Sequence, residues 1–165
     1  MGTLLSHVTV DTAAPTLGRA GLVARRGPAP SAGGLQPIRM VCIDDAGTAP
    51  RIYDPAAHAF GLLDADAGDV GFRNGVALQA VLGWRRGCTV RFLADTDKVA
   101  AAYEHPASLV LRDAGCLTAT LCLAAEWLGM TACPLGFLGQ DLVGPLGFPE
   151  PRFVAVGGAL LGKPG

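Results

Sequence analysis

SLVLRDAGCLTATLCLAAEWLGMTACPLGF, running from Ser108 to Phe137, is the stretch whose reading decides the fold. Leu109, Leu117, Leu121 and Leu128, with small residues between them, leave almost no polar face. Only Arg112, Asp113 and Glu126 carry charge between Ser108 and Met130. Such a segment predicts a helix buried on every side, by its own domain and by a partner subunit. Gly115 and Ala119 stand four apart, so a second backbone can approach closely there. Gly129 is placed to end the helix, because glycine accepts the left-handed cap conformation. Thr131-Ala132-Cys133 then reads as a short buried strand. Pro134-Leu135-Gly136-Phe137 closes it with a turn whose backbone amides are free to meet a ligand.

Composition narrows the classes around this helix. The 165 residues predict one domain, 1–165, with enough chain for a sizeable core. Half the residues are hydrophobic and 16% are charged, an apolar balance that implies contact with a partner subunit. A net charge of −1 supplies no electrostatic footprint for nucleic acid. No charge-free apolar run reaches the ~20 residues of a membrane span, and the first residues lack the basic start of a signal peptide. Cys42, Cys88, Cys116, Cys122 and Cys133 form no C-x-x-C pair, and they read as reduced core residues of a cytoplasmic protein.

Upstream, Thr12 to Arg26 reads as a first helix, with Thr12 as cap, Pro15 in the first turn and Gly27-Pro28 as the stop. Arg25 and Arg26 would then sit at its C-terminus, where cations suit the helix dipole. Pro28 to Pro37 is a loop, Ile38 to Ile43 a buried strand, and Asp44-Asp45-Ala46-Gly47 a solvated turn. Arg51 to Pro55 and Ala59 to Leu63 make a hairpin-like pair around Pro55 to His58, with His58 a turn histidine of no assigned role. Asn74 to Arg86 predicts a helix capped by Asn74, closed by Gly87 and striped with Val76, Val81 and Leu82. Cys88 to Leu93 is a strand, and a short helix follows from Asp95 or Thr96 through Tyr103. Downstream, Leu138 to Leu146 is a glycine-rich loop with one helical turn. Phe153 to Val156 is a final strand that Gly157-Gly158 breaks. The alternation predicts an α+β fold: a mixed, mainly antiparallel sheet of about five strands flanked by helices, with the central helix buried at a dimer interface.

Two segments resemble the nitroreductase-like flavoproteins, especially their azoline dehydrogenase branch. The first comprises Asp113-Ala114-Gly115, Leu123-Ala124-Ala125-Glu126-Trp127-Leu128-Gly129 and Cys133-Pro134-Leu135-Gly136. The second is Pro30-Ser31-Ala32-Gly33-Gly34-Leu35-Gln36-Pro37, similar to the family's P-S-A-G-x-L-x-P loop. The resemblance implies FMN as cofactor, a homodimer, and oxidation or reduction of a small or peptidic substrate, as in natural-product biosynthesis. It places Pro30, Ser31, Ala32, Gly33 and Gln36 on one side of the flavin ring, and Pro134, Leu135 and Gly136 near the ring's reactive edge. The same loop could equally serve as a plain connection.

The family's N-terminal arginines, which hold the flavin phosphate, have no counterpart between Met1 and Val10. Arg25 and Arg26 are the substitutes the sequence offers. The branch's catalytic Lys-Tyr pair is matched only by Lys98 and Tyr103, five residues apart rather than adjacent. These departures keep a second expectation open: a flavin-free scaffold or partner subunit within a biosynthetic complex.

Overall fold

A computed structural model of the chain describes residues 1–9, 16–45, 47–83 and 86–163, without the side chain of Arg19. Its centre is one antiparallel sheet of β3 (Ile38–Asp44), β4 (Arg51–Asp54), β5 (Ala59–Leu62), β6 (Cys88–Asp95), β7 (Thr131–Pro134) and β8 (Phe153–Gly162). The spatial order is β5-β4-β3-β6-β8-β7, and every neighbouring pair is antiparallel. The α+β expectation is met, with six strands in this sheet instead of about five.

Side-chain alternation divides the core. Met40, Cys42, Val90, Phe92 and Ala94 face one layer. It contains helices α1 (Gly2–Thr9), α3 (Thr96–Ala100) and α4 (Pro106–Trp127). Val41, Ile43, Leu93 and Ala155 face the other, against Val70 of α2 (Ala67–Leu82) and the turn Leu142–Leu146.

The central helix α4 begins at Pro106, a suitable first-turn residue. It ends as expected at Gly129, whose φ of 66° lets the Met130 amide reach back to the Ala125 carbonyl at 2.9 Å. Val110, Asp113, Ala114, Leu117, Leu121 and Ala125 are buried. The helix is long and apolar enough by composition to cross a membrane, but this face packs into the core. Burial on every side does not hold within one chain. Leu111, Leu123 and Trp127 are exposed, at 74% for Leu123 and 83% for Trp127. Gly115 and Ala119 lie on the same open face.

Several boundaries differ from the sequence reading, each for a local reason. The described part of the first predicted helix is a small ribbon of β1 (Thr16–Leu17) and β2 (Val23–Ala24). Gly18 donates to the Leu22 carbonyl at 2.8 Å and Gly21 takes a φ of 70°, so the chain doubles back. Thr12 and Pro15, the expected cap and first-turn residues, lie outside the described residues, as do Ala46, Trp84 and Arg85. Asp66, not Asn74, caps α2, accepting from the amides of Gly68 and Asp69. Val76 and Val81 face outward, and Val70, Asn74 and Leu78 form the buried stripe.

Gly157-Gly158 does not break the last strand. β8 continues to Gly162 through a bulge opposite Arg91–Leu93, with Gly157 at φ 111°. β7 is an exposed edge strand, not a buried one. Of the cysteines, only Cys42 and Cys88 are core residues; Cys133 is exposed. His58 is not without a partner, since its Nδ1 lies 2.6 Å from the Tyr53 hydroxyl.

Candidate functional site

The Ser31 loop is latched to α4 by one carboxylate. Ser31 Oγ donates to Asp113 Oδ2 at 2.6 Å, and the Ala32 amide donates to Asp113 Oδ1 at 3.0 Å. Ser31 Oγ also accepts the Gln36 amide at 3.0 Å, and Gln36 Nε2 donates to the Ala29 carbonyl at 3.3 Å. Both polar side chains singled out in the sequence are therefore occupied inside the loop. A space of only about 10 Å³ separates this loop from α4, so a ligand would lie on its outer side. There Pro30 and Gly33 are exposed, with Ala32 half-buried.

Gly33 and Gly34 are required by the chain itself. A Cβ on Gly33, at φ 60°, would lie 2.5 Å from the Tyr103 hydroxyl. One on Gly34 would lie 2.8 Å from the Arg25 carbonyl oxygen. Arg25 in turn donates its amide to the Gly34 carbonyl at 2.8 Å, which ties the ribbon to the loop.

Cations gather beside this unit. Burial, and then the charges of Arg39 and Arg25, push the Lys98 ammonium below its ordinary value, against the pull of Asp95. Arg25 thus belongs to a set with Arg39 and Lys98, while Arg26 is exposed. Asp95 lies beside Lys98. It caps α3 through the Lys98 amide at 3.3 Å and takes a two-pronged contact from Arg152 at 3.1 and 2.7 Å. Burial alone would raise its carboxyl, but these partners together hold it below the usual range. The N-terminal helix α1 carries no Arg or Lys, and its Leu4, Leu5 and Val8 fill the core.

The second predicted wall, Pro134-Leu135-Gly136, follows β7. Leu135 is clamped with Leu78 and Leu160, and its amide donates to the Gly158 carbonyl at 2.9 Å. Pro134 and Gly136 are exposed. A Cβ on Gly136 would meet nothing within 4 Å. Its amide makes no backbone hydrogen bond among the described residues. Leu78 and Leu160 also line a groove of about 1080 Å³ between α2 and the sheet, so this groove reaches the foot of the turn.

The loop and the turn do not face each other within one chain. The loop leads into β3 and the turn out of β7, three strands away in the order β3-β6-β8-β7. At about 4.8 Å per strand that separation is roughly 14 Å. Among the described residues no cluster of His, Cys, Asp and Glu could hold a metal ion.

Sequence reasoning missed Asp113 as the latch, although it stands in the quoted motif, and missed Arg39. It also passed over Arg91, a charge at the centre of the apolar strand CTVRFLAD. That position was itself a signal. Arg91 is 1% exposed, and its Nε and Nη2 donate to Asn74 Oδ1 at 3.0 and 2.6 Å.

The fold has clear parallels. A chain of the E. coli microcin synthetase McbBCD complex, solved with truncated pro-MccB17 bound, superposes with a TM-score of 0.76 at 16% identity. The match covers 99% of this chain and 62% of that one. A protein assigned as a nitroreductase in Anabaena variabilis gives 0.76 at 21% identity, over 97% of this chain and 34% of its own. One from Desulfovibrio desulfuricans, solved in complex with FMN, gives 0.55 at 20%, over 83% and 67%. The chain thus spans about a third to two thirds of the length of these structures. No curated protein sequence matches it. The sequence pattern of one family covers residues 9–149, from α1 to beyond the Gly136 turn and including both motif segments, and by that match the chain belongs to the nitroreductase family.

Proposed function

We propose that the chain is an FMN-dependent oxidoreductase acting on a small or peptidic substrate, with its flavin held between two copies. The observation that carries this is a site in two halves: a latched Ser31 loop and an open Gly136 turn, some three strands apart on one chain. A twofold pairing along the open face of α4 supplies the missing half. Gly115 and Ala119 allow close approach there, and Leu111, Leu123 and Trp127 provide apolar area.

The residues fit the ring of a flavin. The Gly136 amide makes no backbone hydrogen bond among the described residues, and Pro30, Ala32 and Gly33 offer an uncharged surface. Bound FMN supplies the hydride chemistry. The chain's part is to hold the ring against the loop, to donate from Gly136 to its edge, and to leave the α2 groove for the substrate. Its phosphate would rest on Arg25, Arg39 and Lys98, replacing the arginines that α1 lacks; Arg26 follows Arg25 in the chain and is exposed.

Ala119→Glu tests the pairing. A carboxylate at the close approach is expected to convert the dimer to monomer in light scattering and to abolish flavin binding, while the monomer stays folded. A monomeric unmodified protein would remove the proposal.

A pH series tests the phosphate site. Anion binding favours charged Lys98, so FMN affinity is expected to fall as pH rises through the depressed Lys98 value. Riboflavin, which has no phosphate, is expected to show no such fall. Lys98→Ala should weaken FMN roughly tenfold to a hundredfold, the ~1.5–3 kcal/mol of a charge-assisted contact. Equal losses for both ligands would reject the phosphate assignment.

A second reading, a flavin-free partner subunit of a biosynthetic complex, draws on the cation-free α1 and on the likeness to a chain of a synthetase complex. Failure of the unmodified dimer to bind either ligand would favour it.

A further inference from the structure

Arg91 is the most deeply buried charge among the described residues. It projects from the centre of β6, and among the described residues the polar side chain it bonds is the neutral Asn74, whose Nδ2 is itself tied to Thr89 Oγ1 at 3.0 Å. Nη1 is buried with no partner among the described residues. Burial pushes the guanidinium down to about 10, with the charge of Asp141 opposing, so it is still protonated at neutral pH. A buried cation without a bonded carboxylate is costly, and a hydrophobic side chain of similar volume would often serve stability as well or better.

Its guanidinium also meets the segment after the Gly136 turn. The guanidinium carbon sits 4.5 Å from the centroid of the Phe137 ring. Gly139, at φ 84°, passes so close that a Cβ there would lie 3.1 Å from Nη1. The residue beyond it, Gln140, is pinned to β8 by the Ala155 amide at 2.9 Å. Phe137 and Gly139 therefore rest on Arg91, one to three residues after the amide offered to the flavin.

We propose that Arg91 is a positioning residue for this turn, fixing the segment that carries the Gly136 amide through Phe137 and Gly139 and placing a buried positive charge, only partly offset by Asp141, behind it, so that the site binds reduced flavin in preference to oxidised flavin. This rests on the FMN reading above. Uptake of two electrons and one proton leaves the flavin ring with a net negative charge, and a fixed charge aimed at it stabilises that form without reorganisation.

Two measurements on Arg91→Met, a near-isostere without charge, decide it. The first uses the flavin-free protein. Exchange of the Leu142 amide, which the turn segment holds through the Gly139 carbonyl at 3.1 Å, is expected to accelerate at least tenfold, while the ladder between β7 and β8 keeps its protection. Unchanged exchange at Leu142, or an equal rise across the sheet, overturns the positioning role. The second compares affinities for oxidised FMN and for FMN reduced with dithionite. The preference for the reduced form is expected to fall about tenfold in Arg91→Met and to be largely kept in Arg91→Lys. Equal losses for both forms overturn the charge role. If Arg91→Met does not fold, Arg91→Lys carries the exchange test, because it keeps the charge and loses the fork that grips Asn74. A wild-type protein that binds no FMN would sink the flavin reading, and the exchange comparison would still decide the positioning role.

Discussion

Replacing Asp113 with alanine is expected to cost about 3 kcal/mol and to free the Ser31 loop from the central helix. The carboxylate is 7% exposed and accepts both the Ser31 hydroxyl and the Ala32 amide. Hydrogen bonds to a charged group contribute ~1.5–3 kcal/mol each, and their removal strands two donors in a half-buried position. Asp113→Asn keeps the shape and one acceptor, so its loss should be about half as large. Urea unfolding gives the size of the effect and amide exchange gives its location. Fast exchange confined to Ala32–Gln36, with β6 and β8 still protected, is the expected pattern. A loop that keeps its protection in Asp113→Ala would show that the latch is not what holds it.

A methyl group on Gly158 is expected to be at least as damaging. β8 crosses β6 at the bulge opposite Arg91–Leu93, and a Cβ at Gly158 would overlap the Val90 carbonyl oxygen and lie 3.2 Å from the Arg91 Cα. Both are backbone atoms of the central strand pair and cannot yield as a side chain would. Overpacking a core commonly costs about 1–3 kcal/mol. A clash between paired strands belongs at or above the top of that range, so Gly158→Ala should lose roughly 3 kcal/mol or fail to fold. Gly157→Ala is the contrast. A Cβ there meets nothing within 4 Å, although φ 111° disfavours any side chain, so its loss should be smaller and come from strain alone. Equal stability of Gly158→Ala and the unmodified protein in urea would mean that the β6–β8 crossing is looser than described.

The helix, its glycine stop and the order of strands and helices from β3 onward were legible because they depend on local chemistry. α4 needs only apolar spacing and Gly129; the hairpin of β4 and β5 needs only the turn between them. The first helix misled because Thr12, Pro15 and Gly27-Pro28 have the chemistry of a cap, a first turn and a stop, while the glycines at 18 and 21 decide the backbone between them. Asn74 misled in the opposite direction. It is a good cap by type, but its side chain is consumed by Arg91, seventeen residues away and on another element. The long β8 was hidden because two glycines normally end a strand. Here Gly158 is required by the close crossing of β6, a fact that belongs to the sheet and not to the segment.

The candidate site divides the same way. The family motifs located Ser31 and Gly136 in sequence. They could not say that Ser31 is committed to Asp113, that Gly33 makes room for Tyr103, or that Lys98 shares its surroundings with Arg25 and Arg39. Nor could they reveal that the two walls lie on different parts of one chain. Each of these is a long-range juxtaposition with no periodic signature.

The most direct measurement is a fluorescence titration of the unmodified protein with FMN, alongside light scattering on the same sample. Saturation at one FMN per chain, in a dimer, is the predicted result. A folded dimer that leaves FMN fluorescence unchanged, or a monomer that binds FMN fully, would contradict a flavin site shared between two copies.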